Sequence, residues 1–456
     1  MAADHPPAVS SWGVALVGCG TVGGGTAGIL TKSASDLTRR TGGRFPLLAV
    51  FDEDFSHARS LGIDPSLYRH SLEEILADPD VKVVVELAGG TRFAKSVVER
   101  ALDSGKHVVT ANKALLATFG PELFSRARSR GLTIGFEASC AGAIPVVRTL
   151  IEDLVANRVL GLAGIVNGTC NFILTEMLNG GLDYATALAH AQSLGYAEAD
   201  PFLDVSGTDS AHKLTLLAAV AFGLWVDWRQ IPLRGLETVQ PADLRVAADQ
   251  GARVKLLARA EVNETGCRLS VEPSVIPLPH SLAALEGPFN GVLVHGSETG
   301  ALYFQGRGAG ARPTASAIVS DLAGLAAGTL SSTQRDYSCW PDQAVVTRPC
   351  PDEGNLGPWF VHGPGKPGEV LEGSTRKDLE ARVCASSPGT PPRNKKRGRS
   401  FSTAHQGAEP WVQQHKSHHN HQCRQEVSGG DLLELQQVQP NHTDHKTAHP
   451  RNLAED

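Results

Sequence analysis

Glu198, Asp200, Asp204, Asp209 and Lys213 all fall within one short stretch, GYAEADPFLDVSGTDSAHKL. Asp209 and Lys213 are four residues apart, so on a helix they share a face. On an exposed helix such a pair is an ordinary surface ion pair. Here the apolar neighbours Leu214, Leu216, Leu217 and Val220 bury part of the helix. That favours the sharper reading, a lysine whose charge and position are held by an acid for proton transfer to a reacting oxygen.

A second chemical signal lies near the start. Gly18-Cys19-Gly20-Thr21-Val22-Gly23 follows the apolar run VALV and leads into the helical stretch GGGTAGIL. A glycine spacing of this kind, with a strand before it and a helix after it, is the dinucleotide-binding fingerprint. The glycines let the backbone approach a pyrophosphate while the helix N-terminus supplies amide donors. Asp52 and Asp54 follow the next strand, where an acid would hold an adenosine ribose. They come later than usual because of a polar insertion over 32–43. Arg59 is the nearest partner for a 2′-phosphate, so NAD and NADP both stay open, with a lean to NAD from the acidic pair. Lys113, in Thr110-Ala111-Asn112-Lys113, follows the strand HVV. There it would hold a cofactor or polarise a carbonyl, or simply face water.

These residues need elements to place them. Over 12–136 short apolar runs (VALV, LLAVF, VKVVVELA, HVV and LTIGF) alternate with helical stretches at 94–104 and 121–130. That alternation predicts a doubly wound parallel α/β sheet of the Rossmann type. A long amphipathic helix is expected over 145–157, with further helices at 171–179, 184–194 and 208–222. Strand-like patterning returns after Gly251 in RVKLLARAEV, CRLSVEPSVIP, GVLVHG and ALYFQG. This predicts an α+β second domain, followed by an apolar helix in GRGAGARPTASAIVSDLAGLAAG that packs back on the first.

Composition narrows the partners. The 456 residues carry 42 Lys+Arg against 48 Asp+Glu, a net charge of -6, which excludes a basic nucleic-acid binder as a whole-chain reading. Apolar runs such as 214–224 fall short of the roughly 18–20 residues of a membrane span. The opening MAADHPPAVSSW has no basic and apolar leader pattern, and the 8 cysteines form no CxxC pair. A reducing, cytoplasmic setting is expected.

Seven motifs stand in one order: VALVGCGTVGGG, VVVELAGG, GKHVVTANKALLA, FEASCAGAIPVV, NGTCNFILTEM, GYAEADPFLDVSGTDSAHKL and GAGARPTASAIVSDL. In that order they resemble the homoserine dehydrogenases over residues 12–328, in the form without a fused aspartate kinase. The resemblance implies interconversion of L-homoserine and L-aspartate 4-semialdehyde with NAD or NADP, on the route to threonine and methionine. It implies Lys213 as proton donor with Asp209 beside it. Glu198 would bind the substrate amino group, Asp204 would be a further acid, and Lys113 would contact cofactor and substrate. Gly18, Gly20, Thr21, Val22, Gly23, Asp52 and Gly310 would line the nucleotide. Glu137, with the backbone carbonyls of Cys140, Gly142 and Ile144, would bind a monovalent cation such as Na⁺. A homodimer through the second domain's sheet is also implied. Phe51 departs from the basic residue relatives often carry there, which bears on NADP preference. Without the catalytic residues, the same fold would serve a nucleotide-sensing protein that turns nothing over.

The expected division is 1–140 for the NAD(P)-binding domain, 141–312 for the catalytic and dimerisation domain, and 313–333 for the returning helix. Residues 334–373, with WFVHGPGKPGEVLEG, read as the remnant of a regulatory region where relatives carry an ACT domain. Residues 374–456 read as a disordered histidine-rich tail, holding 8 of the 17 histidines. A natural extension, a metal-binding appendage around His415, His418, His419, His421 and Cys423, and an out-of-frame translation all remain open for it.

Overall fold

Runs such as VALV and VKVVVE have no polar face to give to water and must be covered on both sides. Gly13–Val17 (β1), Leu47–Phe51 (β2), Tyr68–Arg69 (β3), Val81–Glu86 (β4), His107–Thr110 (β5) and Ile134–Gly135 (β6) pair in parallel, in the order β3-β2-β1-β4-β5-β6. The order reverses between β1 and β4. Such a reversal opens a crevice at the carboxyl ends of the strands, where ligands bind. In this computed structural model residues 10–263 and 266–330 are described, all within one compact unit. The expected features at 334–373 and 374–456, the histidine cluster included, lie outside the described residues.

Three helices follow strands of this sheet. Thr21–Lys32 (α1) starts directly after the glycine loop, Arg92–Asp103 (α2) follows β4, and Lys113–Ser129 (α3) follows β5. The last was expected only from Pro121. Its apolar spacing through Leu115, Leu116, Leu123 and Phe124 runs unbroken across the proline. Asn112 sets the start by accepting the Leu115 N–H at 3.0 Å, which puts Lys113 at the first helical position. Most of the polar insertion forms a helix, Ala34–Thr41, with no buried side chain.

The second sheet is antiparallel. Val159–Ile165 (β7), Ala252–Asn263 (β8), Gly266–Pro277 (β9), Phe289–Gly296 (β10) and Gly300–Arg307 (β11) lie in the order β9-β8-β7-β10-β11. The central strand β7 was not foreseen, because Gly161 and Gly164 dilute its apolar pattern. Gly168–Asn179 (α4) and Thr208–Phe222 (α5) pack against this sheet. The helix expected over 145–157 is shorter, Val146–Arg148 followed by a wider π turn over Thr149–Asp153. It stops when Leu154 N–H bonds Thr149 O at 2.9 Å and the chain turns toward β7. Finally Ala311–Ala327 (α6) returns to pack on α1, its Ile318 and Leu322 sharing a core with Val14, Leu16, Val83 and Val85.

Lys255 of β8 is buried in this second layer. Its ammonium donates to Asn171 Oδ1 at 3.0 Å and to Leu285 O, and burial pushes its pKa down to about 8 from 10.5. Between those values the unfolded chain binds a proton that the folded chain has released, so raising the pH through this window stabilises the fold. Urea unfolding of wild type and Lys255→Met should therefore show wild type gaining on the variant as pH rises from 8 to 10.5. A pH-independent gap would contradict the assignment.

Candidate active site

Burial of Asp209 and Lys213 on α5 forces each to find a partner. Lys213 Nζ donates to Asp209 Oδ2 at 2.7 Å and to Val166 O, at the end of β7, also at 2.7 Å. Lys113 of α3 reaches the other carboxylate oxygen, 3.2 Å from Asp209 Oδ1. One carboxylate thus bridges two ammonium groups, one carried by each of the two layers. Asn167 completes the arrangement, its Nδ2 donating to Asp204 Oδ1 at 2.8 Å and to Asp209 Oδ2 at 3.0 Å.

The electrostatics follow from that geometry. Burial opposes ionisation of Asp209, but the Lys213 and Lys113 ammonium groups outweigh it and hold the carboxyl well below the usual carboxylate range. The first turn of α5, where Asp209 stands, also favours an anion. Asp204 is shifted the other way, upward, by burial and by the charge of Asp209. Lys113 is raised, chiefly by Asp209 against burial, with Asp204 and Glu198 adding to it. Glu198 is exposed on the loop after the helix Tyr184–Ser193, and its charge reaches Lys113 from there.

The crevice of the parallel sheet lies on the other side of Lys113. Gly18 has a left-handed φ of 99°, and a Cβ there would lie 2.5 Å from the Leu87 carbonyl. A Cβ at Gly23 would lie 2.2 Å from the Gly18 carbonyl oxygen, whereas nothing stands within 4 Å of the Gly20 Cβ position. Gly20, the residue before α1, has no capping side chain, so the first amides of the helix, Thr21 and Val22 among them, are left to an anion. Gly310 opens α6 in the same way, and Gly25 of α1 lies against Ala311 O. Asp52 accepts the Cys19 N–H at 2.5 Å, which ties the end of β2 to the glycine loop. The cradle fits a dinucleotide pyrophosphate.

Glu137, Cys140, Gly142 and Ile144 fall in one buried turn in which Ala141 (φ 51°) and Gly142 (φ 60°) are both left-handed. Both Glu137 oxygens are engaged, by Val147 N–H at 3.0 Å and Arg148 N–H at 2.7 Å, and burial pushes its carboxyl up to about 7.

Sequence reasoning missed several groups. Glu86 at the end of β4 is fully buried, accepting from Thr110 Oγ1 at 2.7 Å and Ala88 N–H at 2.9 Å. Asn112 Nδ2 donates to Gly90 O at 2.7 Å. Together they tie the end of β4, which borders the crevice, to the end of β5. Asn167 and Asn112 had a readable signal, an asparagine placed between a strand and a helix. The Val166 carbonyl had none.

Known proteins share part of this sequence and its fold. Residues 18–137 match the family model "Homoserine dehydrogenase, NAD binding domain", and residues 145–323 match "Homoserine dehydrogenase". The homoserine dehydrogenase of Neisseria gonorrhoeae is 42% identical over 313 residues, covering 69% of this chain and 72% of that protein. The chain belongs to the homoserine dehydrogenase family. It is an NAD(P)-dependent oxidoreductase. The crystal structure of the Thiobacillus denitrificans member superposes with a TM-score of 0.69 at 41% identity, covering 72% of this chain and 76% of that one. A hyperthermophilic archaeal homoserine dehydrogenase mutant in complex with NADPH is 26% identical with a TM-score of 0.59, over 69% of this chain and 97% of that one.

The third glycine gives this family member a clean test. Gly23→Ala forces the loop away from Gly18, and a displacement of this kind should weaken NAD(P)H binding by about tenfold or more in a fluorescence titration. Unchanged affinity would show that the loop gives way freely.

Proposed function

We propose that Lys213 is the group that moves the proton in the homoserine dehydrogenase reaction. The observation that carries this is the short Lys213–Asp209 contact beside Lys113. NAD(P), when bound, supplies the hydride acceptor or donor. Toward the semialdehyde, the neutral amine of Lys213 takes the proton of the C4 hydroxyl. Toward homoserine, the ammonium returns it and steadies the developing alkoxide. Asp209 holds the amine in place and offsets the second positive charge on Lys113. Glu198 would bind the substrate ammonium with Asp204 as a further acid, while Lys113 would contact cofactor and substrate.

Lys213→Ala should lower kcat by about a hundredfold or more while cofactor affinity stays within about twofold, since acid–base catalysis contributes about 10²–10⁴. Turnover within about tenfold of wild type would overturn the role. Glu198→Gln should raise KM for homoserine by about tenfold, the loss of one charge-assisted hydrogen bond, with a smaller effect on kcat.

The cofactor preference follows from Asp52. Its carboxylate sits beside the glycine loop, where it suits a ribose diol and repels a 2′-phosphate, so NAD should be used with the higher kcat/KM. Asp52→Ser should shift the ratio toward NADP; a wild type that prefers NADP would overturn this reading. The backbone carbonyls of the 140–144 turn would hold a monovalent cation, with the Glu137 carboxylate serving as a helix cap behind them. A second copy would dock on the five-stranded sheet, where Leu160 of β7, Phe289 at the start of β10 and Leu278 just after β9 are exposed. Among the described residues no helix is long and apolar enough to cross a membrane, and the cytoplasm is the proposed location.

A further inference from the structure

We propose that Asn290 is a positioning residue for Lys213, acting through the carbonyl of Val166. Asn290 stands near the start of β10, next to Gly291, which pairs with Ile165 of β7. It is 1% exposed. Its Nδ2 donates to Val166 O at 3.0 Å, the same oxygen that accepts from Lys213 Nζ at 2.7 Å. A carbonyl oxygen has two lone pairs, so the two donors together use it fully and fix its direction. Lys213 therefore owes its place to two acceptors, and one of them is aimed by Asn290.

Two further observations separate this from ordinary packing. Asn290 Oδ1 is buried and has no hydrogen-bond partner. An apolar side chain of the same size would avoid that cost, so the amide is present for its N–H. The surroundings are also cut to fit the amide. A Cβ at Gly308 would fall 2.0 Å from Asn290 Nδ2. Gly308 belongs to the turn that leads into Gly310 and α6, and Arg307 O of the same turn accepts from Ala143 N–H at 3.1 Å. Asn290 thus connects the turn on the cofactor side to the catalytic lysine.

The inference rests on Lys213 being the proton carrier. With Asn290's N–H removed, the Val166 carbonyl turns wholly to the lysine and favours its charged form. The neutral amine needed for homoserine oxidation is then reached only at higher pH. Steady-state oxidation of homoserine across about pH 7–11 (a range that reaches the ordinary lysine value) tests this in Asn290→Leu and Asn290→Asp, beside Lys213→Ala. Asn290→Leu should lower kcat by about tenfold, within what small misplacements of a catalytic group cost. KM for homoserine and for NAD(P) should stay within about twofold, and the acid limb of kcat should move to higher pH. Asn290→Asp keeps the shape, adds negative charge and should move the limb further the same way; it carries the test if the leucine variant fails to fold.

An unmoved limb in a folded variant, whatever its kcat, would overturn the positioning role while an inactive Lys213→Ala leaves the proton role standing. Wild-type turnover by Lys213→Ala would instead remove the proton role, and this inference with it.

Discussion

The site depends on a single buried carboxylate. Asp209 lies between Lys213 on its own helix and Lys113 on a helix of the parallel sheet, and without both cations its ionised form could not persist at that depth. Without Asp209, the two ammonium groups would lose the carboxylate that lies between them. The contact ties the chemistry of one layer to the cofactor crevice of the other, and the remaining polar groups serve to hold its three members still.

That support is built from strand ends. Asn167 and the Val166 carbonyl come from the end of β7, Asn290 from the beginning of β10, and Glu86, Thr110 and Asn112 from the ends of β4 and β5. Strand ends are where backbone groups leave the ladder and need new partners, so side chains placed there are oriented by hydrogen bonds rather than by packing. Apolar burial of β1, β4 and β5 makes the framework rigid, and the polar groups at its rim inherit that rigidity.

Close backbone approach is the second constraint. Gly18 against Leu87, Gly23 against Gly18, and Gly308 against Asn290 are contacts that a methyl group would prevent. They bring the glycine loop against the end of β4 and the α6 turn against the Asn290 amide. The glycine motif is thus a steric requirement of the fold as well as an opening for a pyrophosphate.

Much of this was legible in the linear chain. The alternation of apolar runs and helices foretold the parallel sheet, and the glycine spacing located its crevice. The four-residue step from Asp209 to Lys213 was read as a functional pair from its apolar neighbours. Local pattern failed where other contacts decide: β7 is not read as a strand until β8 and β10 flank it, and α3 reads as starting at Pro121 until Asn112 caps it upstream. The sequence by itself determined which residues carry charge and that Asp209 and Lys213 share one helix, because periodicity and spacing are local properties. Only the tertiary structure decided that Lys113 meets Asp209, that Asn167 joins two acids, and that Asn290 shares a carbonyl with Lys213. Those partners lie far apart along the chain, and burial alone obliges them to find one another.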